Sequence, residues 1–232
     1  MLILGVESAT TQVGCAVGGH EGVLASVHSA RERRHAETLA PQIDFVRRQA
    51  RIELSEISVV AVDIGPGLYT GLRVGLATAL ALAYALNVPM IGVSSLDLLA
   101  WPVRFSAKRI VCVIDARRGE LFHASYRQVP GGVQRMSEYE VVKPEELASD
   151  ILATKEDVLV VGDGAHRYRS VFEDLRKVEI VHNGLSYPSA ASLVELAHAR
   201  ALREEFVPPS EIEAMYLRVP DAEVNWTSRS SG

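Results

Sequence analysis

Val62-Asp63-Ile64-Gly65-Pro66-Gly67-Leu68-Tyr69-Thr70-Gly71-Leu72-Arg73-Val74-Gly75 decides how the first half of the chain folds. The stretch closes an apolar run from Ile57 to Ile64, short and β-branched enough to be a buried strand. The chain then turns through Gly-Pro-Gly and enters a helix expected over Gly71–Leu86. Gly71, Gly75, Ala79 and Ala83 recur every four residues and so share one stripe of that helix. Leu72, Leu76 and Leu80 form an adjacent stripe. Small residues let another backbone come close, and the leucines supply apolar area to bury. A helix covered on one side should carry polar residues on the other, yet this one is apolar almost all round. It is expected to dock against a partner.

Working outward, strands are expected at Leu2–Glu7, Val13–Val17 and Val23–Ser29, with turns between them. Arg34–Ala50 follows as an amphipathic helix in which Pro41 should introduce a kink or a break. After Gly71–Leu86 comes a strand near Met90–Val93. The second half repeats the plan. Strands at Arg109–Asp115 and Glu120–Tyr126 are followed by a third strand running to about Val142. A helix begins at Pro144, with Glu145 and Glu146 in its first turn. Val158–Val161 is then a strand, and helices near Ala165–Asp174 and Ser189–Glu204 complete the lobe. The order β-β-β-α-β-α occurring twice is that of the actin-like (ASKHA, RNase H-like) α/β folds, in which two lobes flank a cleft. The expected boundary lies at Trp101-Pro102, giving lobes 1–104 and 105–232. The tail after Phe206 is expected to be extended and to pack back across a lobe, with 228–232 disordered.

Composition narrows the function. A net charge of −5 argues against nucleic-acid binding by the chain alone, since Arg31, Arg33, Arg34, Arg47, Arg48 and Arg51 are the only basic concentrations. No aromatic-basic face is visible either. The chain opens directly into a strand, and the apolar helix, at about sixteen residues, is short for a bilayer. Cys15 and Cys112 lack the spacing of a zinc site and fit buried, reduced thiols in a cytosolic protein. No two of the seven histidines sit three or four residues apart, so no helical metal pair is expected. No nucleophile elbow is present. The turn Glu7-Ser8-Ala9-Thr10-Thr11 has the acid and hydroxyls of a phosphate-cradling turn but not its glycine. Glu7, Ser8, Thr10 and Thr11 are the cofactor candidates, against an ordinary polar turn as the alternative. The second-lobe counterpart, Asp115-Ala116-Arg117-Arg118-Gly119, carries arginines where a phosphate loop would be open.

Gly65–Gly75, Asp115–Glu120 and the closing Tyr216-Leu217-Arg218 … Pro220-Asp221-Ala222-Glu223 resemble the bacterial TsaB (YeaZ) family over essentially the whole chain. That family is a shortened relative of TsaD, which attaches threonylcarbamoyl to the adenosine 3′ of the anticodon in tRNAs reading codons that begin with A. In TsaD the matching segment carries a His-x-x-x-His metal pair, and the two positions fall here on Ser95 and Leu99. The resemblance therefore implies a non-catalytic, cytoplasmic subunit with no catalytic or metal residues. It implies a homodimer when alone, a heterodimer with TsaD, and TsaE joining the assembly. tRNA is met only through the complex, and ATP or ADP is left to the assembled complex. The implied interface is formed by His35, Leu39, Ile43, Gly71, Leu72, Gly75, Leu76, Ala79, Leu80 and Ala83. The rival reading is a glycoprotease-like hydrolase or ATPase using Glu7, Asp63 and Asp115 around a divalent ion.

Overall fold

The computed structural model describes residues 1–30 and 35–218, the side chain of residue 35 excepted. Arg31, Arg33 and Arg34, the motif Pro220–Glu223 and the expected disorder at 228–232 lie outside the described residues.

The first lobe runs β1 (Leu2–Glu7), β2 (Val13–Gly19), β3 (Gly22–Ser29), α1 (His35–Ala50), β4 (Ile57–Gly65), α2 (Tyr69–Leu86), β5 (Met90–Ser94) and α3 (Ser95–Ala100). Its sheet has the order β3-β2-β1-β4-β5. The first three strands pair antiparallel, and β4 and β5 add in parallel. The second lobe runs β6 (Arg109–Arg117), β7 (Glu120–Val129), β8 (Gly132–Arg135), β9 (Glu140–Val142), α4 (Pro144–Thr154), β10 (Val158–Val161), α5 (Asp163–Arg167), α6 (Arg169–Phe172), β11 (Val178–Ile180) and α7 (Ala190–Ala201). Its sheet order, β11-β10-β6-β7-β8 with β9 also on β7, is the first sheet's order again. The duplicated architecture expected from the element pattern is present.

Several expected elements change in detail. The third strand of the second lobe is two pieces, β8 and β9, both paired to β7. Between them Ser137 Oγ accepts the Ser125 N–H at 3.0 Å, so a side chain replaces the ladder. The helix expected at Ala165–Asp174 starts at Asp163 and breaks at Tyr168, whose φ of −109° and ψ of 35° are not helical. Strand β11 was not anticipated, since three residues are too few to show a period. Pro41 lies within one continuous helix. It sits on the exposed side, where water can take the carbonyl hydrogen bond that proline cannot make.

α7 does not complete the second lobe but packs on the first sheet, against β1, β2, β3 and β5. Ala190, Leu193, Val194 and Ala197 close a core with Ile3, Ala16, Val59, Ala61, Ile91 and Val93. Gly5 makes the approach: an added Cβ would lie 3.0 Å from Val194 and 3.2 Å from the Ala190 carbonyl. α3 makes the reverse crossing, its Leu96, Leu99 and Ala100 packing with Ile110, Cys112 and Ile114 of the second sheet. Each lobe thus lends its final helix to the other. The other face of the first sheet belongs to α1 and α2, through Leu39, Ile43, Val46, Ala79 and Ala83. After α7 the described chain, which includes a short 3-10 turn at Pro209–Glu211, packs back across the first lobe. Val207 bridges to Met90, and the Met215 N–H donates to the Ile64 carbonyl at 2.7 Å.

α2 begins two residues earlier than the sequence suggested and reaches 18 residues, long and apolar enough to cross a bilayer. Length therefore does not decide the matter, but topology does. α2 is the crossover between the parallel strands β4 and β5, with Gly71, Leu72, Gly75, Ala79 and Ala83 buried on the chain.

Candidate functional site

The helix pair α1–α2 and the turn after β1 meet at one corner of the first lobe, and glycine permits their contact. An added Cβ on Gly67 would lie 2.1 Å from the Ala9 carbonyl oxygen, and one on Gly75 would lie 2.2 Å from Ser8 Oγ. The Ser8 hydroxyl donates to the Gly71 carbonyl at 2.8 Å, and the Leu68 N–H donates to the Ala9 carbonyl at 2.6 Å. The backbone that the small-residue stripe admits is therefore this chain's own.

That finding corrects most of the expected interface. Gly71, Leu72, Gly75, Ala79 and Ala83 are buried under α2, and Leu39 and Ile43 are buried under α1. Leu76 and Leu80 are half-buried and pack on the same core. The His35 side chain lies outside the described residues. The helices nevertheless leave an apolar exterior. The outward side of α2 shows Ala77, Ala81, Ala85 and Tyr84, the last 61% exposed. α1 adds Ala40, Pro41 and the partly exposed Phe45. Sequence reasoning missed these residues, although Ala77, Ala81 and Ala85 recur every four residues on the far side from the glycines. At the N-terminal end, Tyr69 lies beside Tyr216 with ring centroids 5.4 Å apart, and the Arg73 guanidinium stacks 4.0 Å over Tyr69.

The candidate cofactor turn faces inward. Glu7, Ser8 and Thr10 are all buried. Glu7 Oε1 accepts the Ala9 N–H at 2.9 Å, and Thr10 Oγ1 accepts from the Gln12 N–H at 3.3 Å. Thr11 lines a cavity shared with the second lobe. Beside the turn lies Asp63, whose Oδ1 accepts from the Ser95 hydroxyl at 2.6 Å and from the Gly65 N–H at 2.8 Å. Glu7 Oε2 and Asp63 Oδ2 have no partner among the described residues. Burial pushes both acids up, Asp63 to about 7. Glu7 is raised well above the usual carboxylate range by burial and then by the negative charge of Asp63.

The three acids of the rival reading do not converge. Asp115 sits in the second lobe, held by Arg117 and Arg167. At the two aligned metal positions, Ser95 is bonded to Asp63 and Leu99 is core. Among the described residues no group of three or more His, Cys, Asp or Glu could hold a metal ion.

Comparison with known proteins adds to this geometry. The family described as TsaD, tRNA N6-adenosine threonylcarbamoyltransferase, matches residues 22–226. The Escherichia coli K12 protein named tRNA threonylcarbamoyladenosine biosynthesis protein TsaB is 28% identical, over 94% of this chain and 95% of its own. Its namesake from Bacillus subtilis is 25% identical, over 97% and 98%. Among solved structures, YeaZ from Pseudomonas aeruginosa superposes with a TM-score of 0.82 at 26% identity, covering 93% of this chain and 99% of that one.

Proposed function

The chain belongs to the TsaD family of tRNA N6-adenosine threonylcarbamoyltransferases, among its TsaB (YeaZ) relatives, and we propose that it serves threonylcarbamoyladenosine biosynthesis as a docking subunit rather than as the catalyst. In this reading it pairs with TsaD, and TsaE joins the assembly that modifies tRNAs reading codons beginning with A. Alone, it pairs with a second copy through the same surface. It meets tRNA, and ATP or ADP, only within the complex, in the cytoplasm.

One observation carries the reading: α2 keeps an apolar exterior of Ala77, Ala81, Tyr84 and Ala85 beside α1. Small side chains on that exterior allow a partner helix to approach closely, and Tyr84 offers an aromatic anchor of the kind that dominates interface energetics. Ala81→Arg places a charge on this face without touching the core. It is expected to abolish co-elution with TsaD of the same organism while the melting temperature of the free chain stays unchanged. Co-elution that persists in the variant refutes the surface. Omitting the chain from a reconstituted tRNA modification reaction tests the role itself, and undiminished product would count against it.

Nothing in the geometry favours the hydrolase or ATPase alternative, since Glu7 and Asp63 are 0% and 2% exposed and Asp115 belongs to another cluster. It would require ATP turnover by the purified chain that Asp63→Ala removes.

A further inference from the structure

A cavity of about 570 Å³ opens between Thr11 of the first lobe and a second-lobe wall that includes Asp115, Arg117, Asp163, His166 and Arg167. It is separate from the α1–α2 exterior, and nothing in the partner reading uses it. Arg117 Nη1 and Arg167 Nε both reach Asp115 Oδ2, at 3.2 and 3.3 Å. One carboxylate oxygen thus serves two cations. Each guanidinium has five N–H donors and keeps several for other acceptors. Asp115 Oδ1 accepts from the Arg117 N–H at 2.9 Å, and Asp163 Oδ1 accepts from the Asp115 N–H at 3.1 Å. These bonds fix both carboxylates from behind.

Two further groups on the same wall lack partners. Ser186 is 4% exposed and lines the cavity, and its Oγ has no hydrogen bond among the described residues. Nε2 of His166 is likewise buried and unpartnered. A buried polar atom left unsatisfied is costly, so two of them among the residues lining one cavity require an explanation.

The charge pattern selects the ligand class. Two guanidiniums face two carboxylates, so the lining is formally neutral while keeping a cationic and an anionic side. A polyphosphate would set several negative charges against Asp115 and Asp163. A small molecule carrying one charge of each sign matches. We infer that this cleft binds a free α-amino acid, its carboxylate on the forks of Arg117 and Arg167, its ammonium on Asp163, and a polar side chain on Ser186 and His166.

The test is calorimetric titration of the intact chain with each of the standard amino acids, with the α-hydroxy acid and the amine analogue of any that binds as controls. At least one amino acid is expected to give a saturable heat. Removing its ammonium or its carboxylate should weaken binding by about tenfold or more, and so should Arg167→Gln. Arg167 is half-exposed, so that variant is expected to fold, with circular dichroism as the check. Ser186→Ala gives a second reading from the unpartnered side. Absence of any heat at about 20 mM, equal binding of the hydroxy-acid analogue, or unchanged affinity in Arg167→Gln each overturns the assignment.

Discussion

Gly67 and Gly75 look alike in the sequence, yet the structure gives them different tolerances. A Cβ at Gly67 would meet a backbone oxygen, which cannot move aside, whereas one at Gly75 would meet a serine hydroxyl, which can rotate. Gly67→Ala is therefore expected to lower the melting temperature more than Gly75→Ala. The loss in Gly75→Ala should be recovered by adding Ser8→Ala, which removes the obstructing oxygen. Gly75→Leu overfills the same space and is expected to cost about 3 kcal/mol or more in denaturant titration, so it probes the fold and not the partner. Asp63 is the other residue whose role is set locally. Its carboxyl titrates near 7 in the fold against an ordinary 3.8, so between these values the folded chain holds a proton that the unfolded chain releases. Stability must then fall as pH rises through that window, by at most about 4 kcal/mol from this group. Glu7, raised by burial and by Asp63, acts in the same direction. Asp63→Asn keeps an acceptor for Ser95 and Gly65 but cannot ionise. Its melting temperature is expected to fall less steeply than that of the unaltered chain between about pH 5 and pH 8. Parallel slopes would refute this.

Among the elements, what the sequence made legible was period, and what it hid was facing. The four-residue recurrence in α2 was plain. Which of its two small-residue stripes pointed inward depended on the turn at Ser8–Ala9, over 60 residues away. The glycines do signal a close approach, but the neighbour that approaches is the Ser8–Ala9 turn of the same chain. Long strands such as β4 and β6 declared themselves through β-branched runs, whereas β11 and α3, at three and six residues, fell below any detectable period. α3 is set instead by a cap, with Ser94 Oγ accepting the Leu96 N–H at 3.2 Å. Ser94→Ala is expected to cost about 1 kcal/mol, read as a shift of the denaturation midpoint. The candidate cleft was half visible: Thr11, Asp115 and Arg117 lay in turns already singled out. Asp163, His166, Arg167 and Ser186 carried no pattern that joined them to it.

For the molecule as a whole, the duplicated order could be read from the chain, and the exchange of terminal helices could not. Amphipathicity gives a helix an inner face without naming the sheet that face will meet. Leu193 is fully buried on the first sheet although it lies beyond every strand of the second. Leu193→Ala is expected to cost about 2–5 kcal/mol. Hydrogen exchange should report the loss in β1 and β5, and a loss confined to β10 and β11 would contradict the packing. The arrangement also bears on biosynthesis. When β5 has left the ribosome, the hydrophobic face that α7 will cover is still bare, and about a hundred further residues must be translated first. At about 5–20 residues per second this interval lasts roughly 5–20 s. For that time the nascent first lobe is a natural client for a chaperone, and slowing of elongation between codons 95 and 201 should lengthen its exposure.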